Sequence, residues 1–351
     1  MRYAFNGRFL TKATTGQERF AMELISHLDK ICSKGEFCVV TSELVKDLPK
    51  YENIEIVQTG RLKREAWEQF CLGPYLRKHH LRCVNLTTTF PLLHADVVCL
   101  HDAMIFEIGR MCMGSIYGVL GLFWKRMLFR IAKHSASHIL TVSEYSKNKL
   151  NAILGIPKEK ISVIYNAWQH FNRIVADEGI FDRLPEKIQK GDYFFSLSSL
   201  TPQKNFIWIM EVANKNPQLQ FVVTGKAEGF TRLGVNELKT NNIHFTGYLS
   251  DGEVKALMQY CRAFIHPAIY EGFGIPPIEA LSCGAELIVS TATCLPEIYE
   301  RSVHYIDPYN YDVDIDKLLS ESVEPASKVL DKFKWEREAK KLYDVLSKTI
   351  V

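Results

Sequence analysis

Short apolar runs alternate with helix-patterned segments along nearly the whole chain, and the alternation occurs twice. Parallel strands need a crossover connection of a dozen or more residues, so such alternation points to parallel sheets flanked by helices. In the first half, Phe37 to Thr41 (FCVVT), Val97 to Leu100, His138 to Val142 and Ile161 to Tyr165 read as buried strands. Gln17 to Leu28 places Phe20, Leu24, Ile25 and Leu28 on one helical face. Ser143 suits the cap of a helix running towards Leu154, with Gly155 and Pro157 as stop signals. From Trp168 to Asp192 the sequence turns polar and loses its period, which predicts a linker over 169–192. The pattern then resumes, with strands expected at Tyr193–Leu197, Phe221–Thr224, Ile243–Thr246, Ala263–His266 and Glu286–Ser290. A helix is expected at Phe206–Ala213. Ser250-x-x-Glu253 is a capping box, and Pro277 and Gly284 bracket a short helix.

Length agrees with that doubling: 351 residues at roughly 150 per domain give two, expected at 1–168 and 193–332. Lys and Arg total 43 against 40 Asp and Glu, a net charge of +3, and no block of like charge stands out. Nucleic acid is therefore not an expected partner. Nine cysteines without a C-x-x-C spacing read as reduced, mostly buried thiols, against both a disulfide framework and a zinc module. The opening MRYAFNGRFL has no apolar signal core, and no run approaches the roughly 20 apolar residues of a membrane span. A cytoplasmic chain is expected. Met111 to Trp124, halted by Lys125 and Arg126, reads as a partly buried helix in preference to a membrane-surface one.

The chemistry concentrates in Ala263 to Gly284, AFIHPAIYEGFGIPPIEALSCG. A buried strand runs into a loop holding Glu271, Gly272, Phe273 and Gly274, then into a helix opened by Ile275 and two prolines. Glycines let backbone approach a ligand closely, and a helix N-terminus favours an anion such as phosphate. Glu271 and Glu279 lie eight residues apart, and a carboxylate can accept two hydrogen bonds from a vicinal diol. One would hold a ribose and the other a hexose. Helix-dipole placement alone accounts for Glu279 but leaves Glu271 and the glycines unexplained.

EGFGIPPIEALSCG resembles the E-x7-E signature of the retaining family 4 glycosyltransferases. Other segments resemble that family in the same order. They are Thr15-Gly16-Gln17-Glu18-Arg19-Phe20, His101-Asp102, Thr141 to Lys147 (TVSEYSK), Leu295-Pro296-Glu297-Ile298, Tyr305 to Pro308, and Phe333 to Glu336 with Ala339. Ala167 stands where the family usually has Gly. The resemblance implies a GT-B fold: two Rossmann-like domains facing a cleft, with the last helix, 333–351, crossing back to the first domain.

It also implies roles. Glu279 would hold the ribose, and Gly247 and Tyr248 would lie at the base pocket. Lys204 and the backbone around Gly272, Phe273, Gly274 and Ile275 would hold the diphosphate, and Glu271 the hexose hydroxyls. Gly16 and His101 would face the diphosphate, sugar and acceptor from the first domain. The family commonly supplies an Arg in the turn before Lys204, where this chain has Ser199 and Gln203. One cation is short, with Arg19 or Lys226 as replacements, though Lys226 reads as a bystander. Asp312-Val313-Asp314-Ile315-Asp316 contains two D-x-D patterns but reads as a solvated or capping loop. No metal and no cofactor beyond a nucleotide-sugar co-substrate is expected.

The implied reaction moves a hexosyl unit from a GDP-, UDP- or dTDP-sugar to a saccharide or lipid-linked saccharide hydroxyl, in surface polysaccharide or glycolipid synthesis. The Met111 to Lys133 stretch would suit an acceptor near a membrane, with peripheral membrane association. Two rivals share the scaffold: a sugar-nucleotide 2-epimerase, and a non-catalytic sugar-nucleotide-binding subunit.

Overall fold

A computed structural model describes residues 3–112, 116–197, 201–225 and 241–348. The chain divides into two compact units, residues 1–107, 117–166 and 334–351 in the first and 108–116 and 167–333 in the second. In the first unit the strands are β1 (Tyr3–Asn6), β2 (Phe37–Thr41), β3 (Glu55–Gln58), β4 (Arg82–Asn85), β5 (Val97–Cys99), β6 (His138–Thr141) and β7 (Ile161–Val163). They form one 7-stranded sheet in the order β3-β2-β1-β4-β5-β6-β7, parallel throughout. The second unit holds β8 (Tyr193–Ser196), β9 (Gln220–Val223), β10 (Ile243–Phe245), β11 (Ala263–His266), β12 (Leu287–Ser290) and β13 (His304–Ile306). These form a 6-stranded parallel sheet in the order β10-β9-β8-β11-β12-β13.

Both sheets are doubly wound. Chain order reverses between β1 and β4 in one and between β8 and β11 in the other. In open parallel sheets a ligand crevice forms beyond the carboxyl ends of the strands at such a switch point. Burial on both faces makes the strands near-continuous apolar runs. Phe194, Phe221, Val223, Ile265 and Ile288 of the second sheet pack with Phe206, Trp208, Ile209 and Val212 of helix Phe206–Lys215.

The helix signals hold at their ends. Ser143 Oγ accepts from Ser146 N at 3.1 Å to open Glu144–Leu154, and Gly155 closes it at φ 64°. Ser250 accepts from Glu253 N at 3.2 Å, and the Glu253 carboxylate accepts from Ser250 N at 2.7 Å. The last helix, Trp335–Lys348, packs on helix Gly16–Leu28. There Trp335 meets Phe20, Glu338 accepts from Tyr165 N at 2.9 Å, and Tyr3 OH donates to Leu346 O at 3.2 Å.

The polar stretch 169–192 has structure of its own. It belongs to the second unit and carries 3-10 turns at Gln169–Arg173 and Glu178–Arg183. Lys255 Nζ donates to the carbonyls of Phe171 (2.9 Å) and Ile174 (2.8 Å), while Ile180 and Ile188 are buried. A 3-10 turn has no 3.6-residue period, so the apolar pattern that marks an α-helix is missing from its sequence. In helix Ile116–Ser135, Leu128, Phe129 and Ala132 are buried and Val119, Leu120 and Phe123 are exposed. No helix among the described residues is long and apolar enough to cross a membrane.

Candidate active site

At the second sheet's switch point, the turn after β8 and the loop after β11 are joined directly. Ile269 N donates to Gln203 O at 2.9 Å. Asn205, held at φ 55°, donates from Nδ2 to Pro267 O (3.0 Å) and Pro308 O (2.8 Å), tying in the segment after β13. The turn thereby delivers Lys204 to Glu271, with Nζ 2.6 Å from Oε1. The same oxygen accepts from His266 Nε2 at 2.9 Å. His266 is the last residue of β11 and its side chain is buried, so its backbone position is fixed by the sheet.

Burial pushes the Glu271 carboxyl up, but the adjacent Lys204 ammonium and the His266 hydrogen bond outweigh it and bring its pKa down to about 2. Burial pushes the His266 imidazole down, so it is neutral and donates one proton to the carboxylate. Glu271 is thus a fixed anion at neutral pH, a hydrogen-bond acceptor and not an acid. Its backbone N donates to Thr293 Oγ1 at 3.1 Å. The Lys204 and Glu271 side chains keep 21% and 15% of their exposure, enough for a ligand to reach both.

Beyond Glu271 the loop closes tightly. Gly274 adopts φ 89°, and a Cβ there would lie 2.9 Å from Leu295 Cδ2. Only glycine takes both that dihedral and that approach without strain. Phe273 is buried against Phe333, with ring centroids 5.2 Å apart, and Tyr299 OH donates to Gly274 O. Ile275 then opens the helix Ile275–Ser282, which carries Glu279. His170, in the polar stretch 169–192, meets Glu279 Oε1 at 2.7 Å from Nε2.

Along the same sheet edge, Gly225 and Gly247 bridge through paired hydrogen bonds of 2.9 and 3.0 Å. Gly247 has φ 73° with open space around its missing Cβ, and Tyr248 is 89% exposed. Lys226 and Ser199 lie outside the described residues. The D-x-D loop has other partners. Asp314 caps a helix by accepting from Lys317 N, Asp312 pairs with Lys215, and Asp316 with Arg262. A cavity of about 260 Å³ lined by Leu281, Gly284, Leu287 and His304 opens near the starts of β12 and β13, away from these groups.

In the first unit, Gly16 is the exposed first residue of helix Gly16–Leu28. Thr15 caps that helix, and Thr15 N donates to the Glu18 carboxylate at 3.3 Å. His101 follows β5. Its Nε2 donates to Leu86 O at 2.9 Å, and its ring packs edge-on to Phe20 at 5.0 Å. Burial lowers its pKa to about 4, so it is neutral at pH 7 with Nδ1 as the acceptor nitrogen. Arg19 lies on the same helix. At this sheet's own switch point the sequence reading missed a buried cluster. Glu68 accepts from Asn6 Nδ2 (2.8 Å) and Thr89 Oγ1 (2.9 Å), and Arg8 pairs with Glu68 and Glu65.

Comparison with known proteins agrees with both halves. Residues 14–168 match the Glycosyltransferase Family 4 model, and residues 181–328 match the model of Glycosyl transferases group 1. The chain is 26% identical over 325 residues to the O-antigen chain mannosyltransferase RfbU of Salmonella typhimurium, covering 85% of each protein. It superposes on sucrose-phosphate synthase from Thermosynechococcus elongatus with a TM-score of 0.72 at 13% identity, over 99% of this chain and 98% of that one. Anabaena HepE, solved in complex with UDP-glucose, superposes with a TM-score of 0.67 at 16% identity, over 99% and 100%. Its two doubly wound units have the GT-B fold, and the chain belongs to the family 4 glycosyltransferases.

Proposed function

We propose that this glycosyltransferase transfers a hexosyl unit from a nucleoside diphosphate sugar to an acceptor hydroxyl, with retention and without a metal. The observation that carries the reading is the Lys204–Glu271–His266 cluster at the switch point of the second sheet, with Glu279 on the helix behind it. Lys204 is the cation that can neutralise charge building on the departing diphosphate. Lysine has three donors, so it can turn towards phosphate while His266 keeps Glu271 in place. Glu271, ionised and anchored, accepts from hexose hydroxyls. The C1–O bond to phosphate breaks as the acceptor oxygen bonds C1 on the same face. The acceptor proton passes to the leaving phosphate oxygen, so no enzyme nucleophile is needed. His101 of the first unit, neutral and with Nε2 committed to Leu86 O, is not the general base.

Metal independence is supported by the donor set, since each acidic group of the D-x-D loop already caps a helix or pairs with a cation. The name of the Salmonella relative makes GDP-mannose the first donor to try, and the Anabaena complex makes UDP-glucose the second. The acceptor proposed is a growing surface polysaccharide or lipid-linked saccharide, met by a cytoplasmic enzyme at the membrane face. The exposed Val119, Leu120 and Phe123 support that placement. The test is to incubate the protein with each donor and a panel of alkyl glycoside acceptors, with and without EDTA, and follow products by NMR. A glycoside of the donor's own anomeric configuration, formed equally in EDTA, is expected. An inverted linkage, a metal requirement or a 2-epimerised sugar nucleotide contradicts the reading.

A further inference from the structure

The side chain that meets the Glu279 carboxylate is 109 positions away in sequence and belongs to no glycosyltransferase motif identified in the chain. His170 sits in the 3-10 turn Gln169–Arg173, where the chain enters the second unit, and its side chain is fully buried. Its Nε2 lies 2.7 Å from Glu279 Oε1. A carboxylate oxygen accepts, so Nε2 is the donor of this hydrogen bond.

The turn itself cannot swing away. Lys255 holds the carbonyls of Phe171 and Ile174, Trp168 Nε1 donates to Leu330 O at 2.9 Å, and Gln169 Nε2 donates to Phe333 O at 2.9 Å. Five hydrogen bonds from four side chains therefore converge on this one turn and its link to the helix Ile275–Ser282. Glu279 is left with 11% side-chain exposure, and its Oε2 meets no hydrogen-bond donor among the described residues. A glutamate free to rotate loses side-chain entropy when it grips a ligand, whereas one pinned through Oε1 has already lost it.

We propose that His170 is a positioning residue that holds Glu279 in the conformation that engages a vicinal diol, so discrimination for a ribose 2′-hydroxyl depends on it. The proposal rests on Glu279 as the ribose ligand, and the experiment separates the two claims. Binding of GDP and 2′-deoxy-GDP, and of UDP and 2′-deoxy-UDP, is measured by titration calorimetry on the intact protein; the base that binds tighter is carried forward. Wild type is expected to prefer the ribonucleotide about tenfold, one hydrogen bond to a charged group. Glu279→Gln should reduce that preference to near unity. His170→Leu and His170→Asn should reduce it likewise, while kcat at saturating donor stays within about threefold and KM for donor rises about tenfold. His170→Gln, whose amide nitrogen reaches the place of Nε2, should keep most of the preference even if His170→Leu fails to fold. Preference retained in His170→Asn but lost in Glu279→Gln overturns the positioning role. Preference retained in Glu279→Gln overturns the ribose assignment, and this proposal with it.

Discussion

The two switch points use the same sheet geometry for opposite ends. In the second unit, Lys204 and Glu271 form an ion pair that solvent still reaches, and the anion has a second, neutral donor in His266. In the first, the Arg8 and Glu68 side chains are 5% and 1% exposed, and Glu68 also serves Asn6 and Thr89. A reachable pair with a spare partner can exchange one ion for a ligand's charge. A sealed pair cannot, because separating its members leaves a charge in a low-dielectric interior. The Arg8–Glu68 pair is a strut joining β1 to the segment around Glu68, whereas the Lys204–Glu271 pair is open to a ligand.

Substitutions should separate these roles. Glu68→Gln leaves the buried Arg8 guanidinium with Glu65 alone and should cost the fold roughly 3–5 kcal/mol in urea unfolding. Lys204→Ala should lower kcat/KM about 100-fold, the scale of losing one group that stabilises transition-state charge, and should destabilise the fold less than Glu68→Gln, because solvent reaches the Glu271 carboxylate left behind. If Lys204→Ala proved the more destabilising of the two, the contrast would collapse.

Acid should also strike the units unequally. The folded His101 pKa of about 4 lies below its ordinary value of 6.5, so the unfolded chain takes up the proton first. That contribution is intact above pH 6.5 and is lost as pH falls towards 4; between pH 7 and 5 it amounts to about 2 kcal/mol. Glu271, lowered to about 2, contributes stability that is present above 4.5 and lost only as pH falls towards 2. Urea unfolding at pH 7 and 5 should therefore show a smaller loss in His101→Asn than in wild type, and the same loss in Glu271→Gln as in wild type. The smallest effect is expected at Gly274→Ala, about 1–2 kcal/mol in thermal unfolding, from strained φ and the approach to Leu295.

The same contrast explains what could be read from the sequence. Strands such as Phe37–Thr41 and Ala263–His266 are buried on both faces and stand out as apolar runs. At the sheet edge, β3 reads EIVQ with both ends exposed, and it gave no such run. The loop and helix of the second switch point stood out because Glu271, Gly272, Phe273, Gly274 and Glu279 sit within nine residues, where loop and helix impose local spacing. His266 stood inside the quoted stretch but had no partner until β11 placed it against Glu271. The strut was not legible, since Arg8 and Glu68 are 60 residues apart and only the sheet brings them together. The same holds for His170 and Glu279, and for Asn205 with Pro308.

The central claim, that Glu271 at the second switch point is where donor chemistry occurs, is tested most directly by Glu271→Gln. This substitution keeps the shape and an acceptor for His266 while removing the charge. Calorimetric binding of the nucleoside diphosphate and sugar transfer are measured on the same preparation. Binding within about threefold of wild type and transfer reduced 100-fold or more are expected. Transfer at the wild-type rate would contradict that claim.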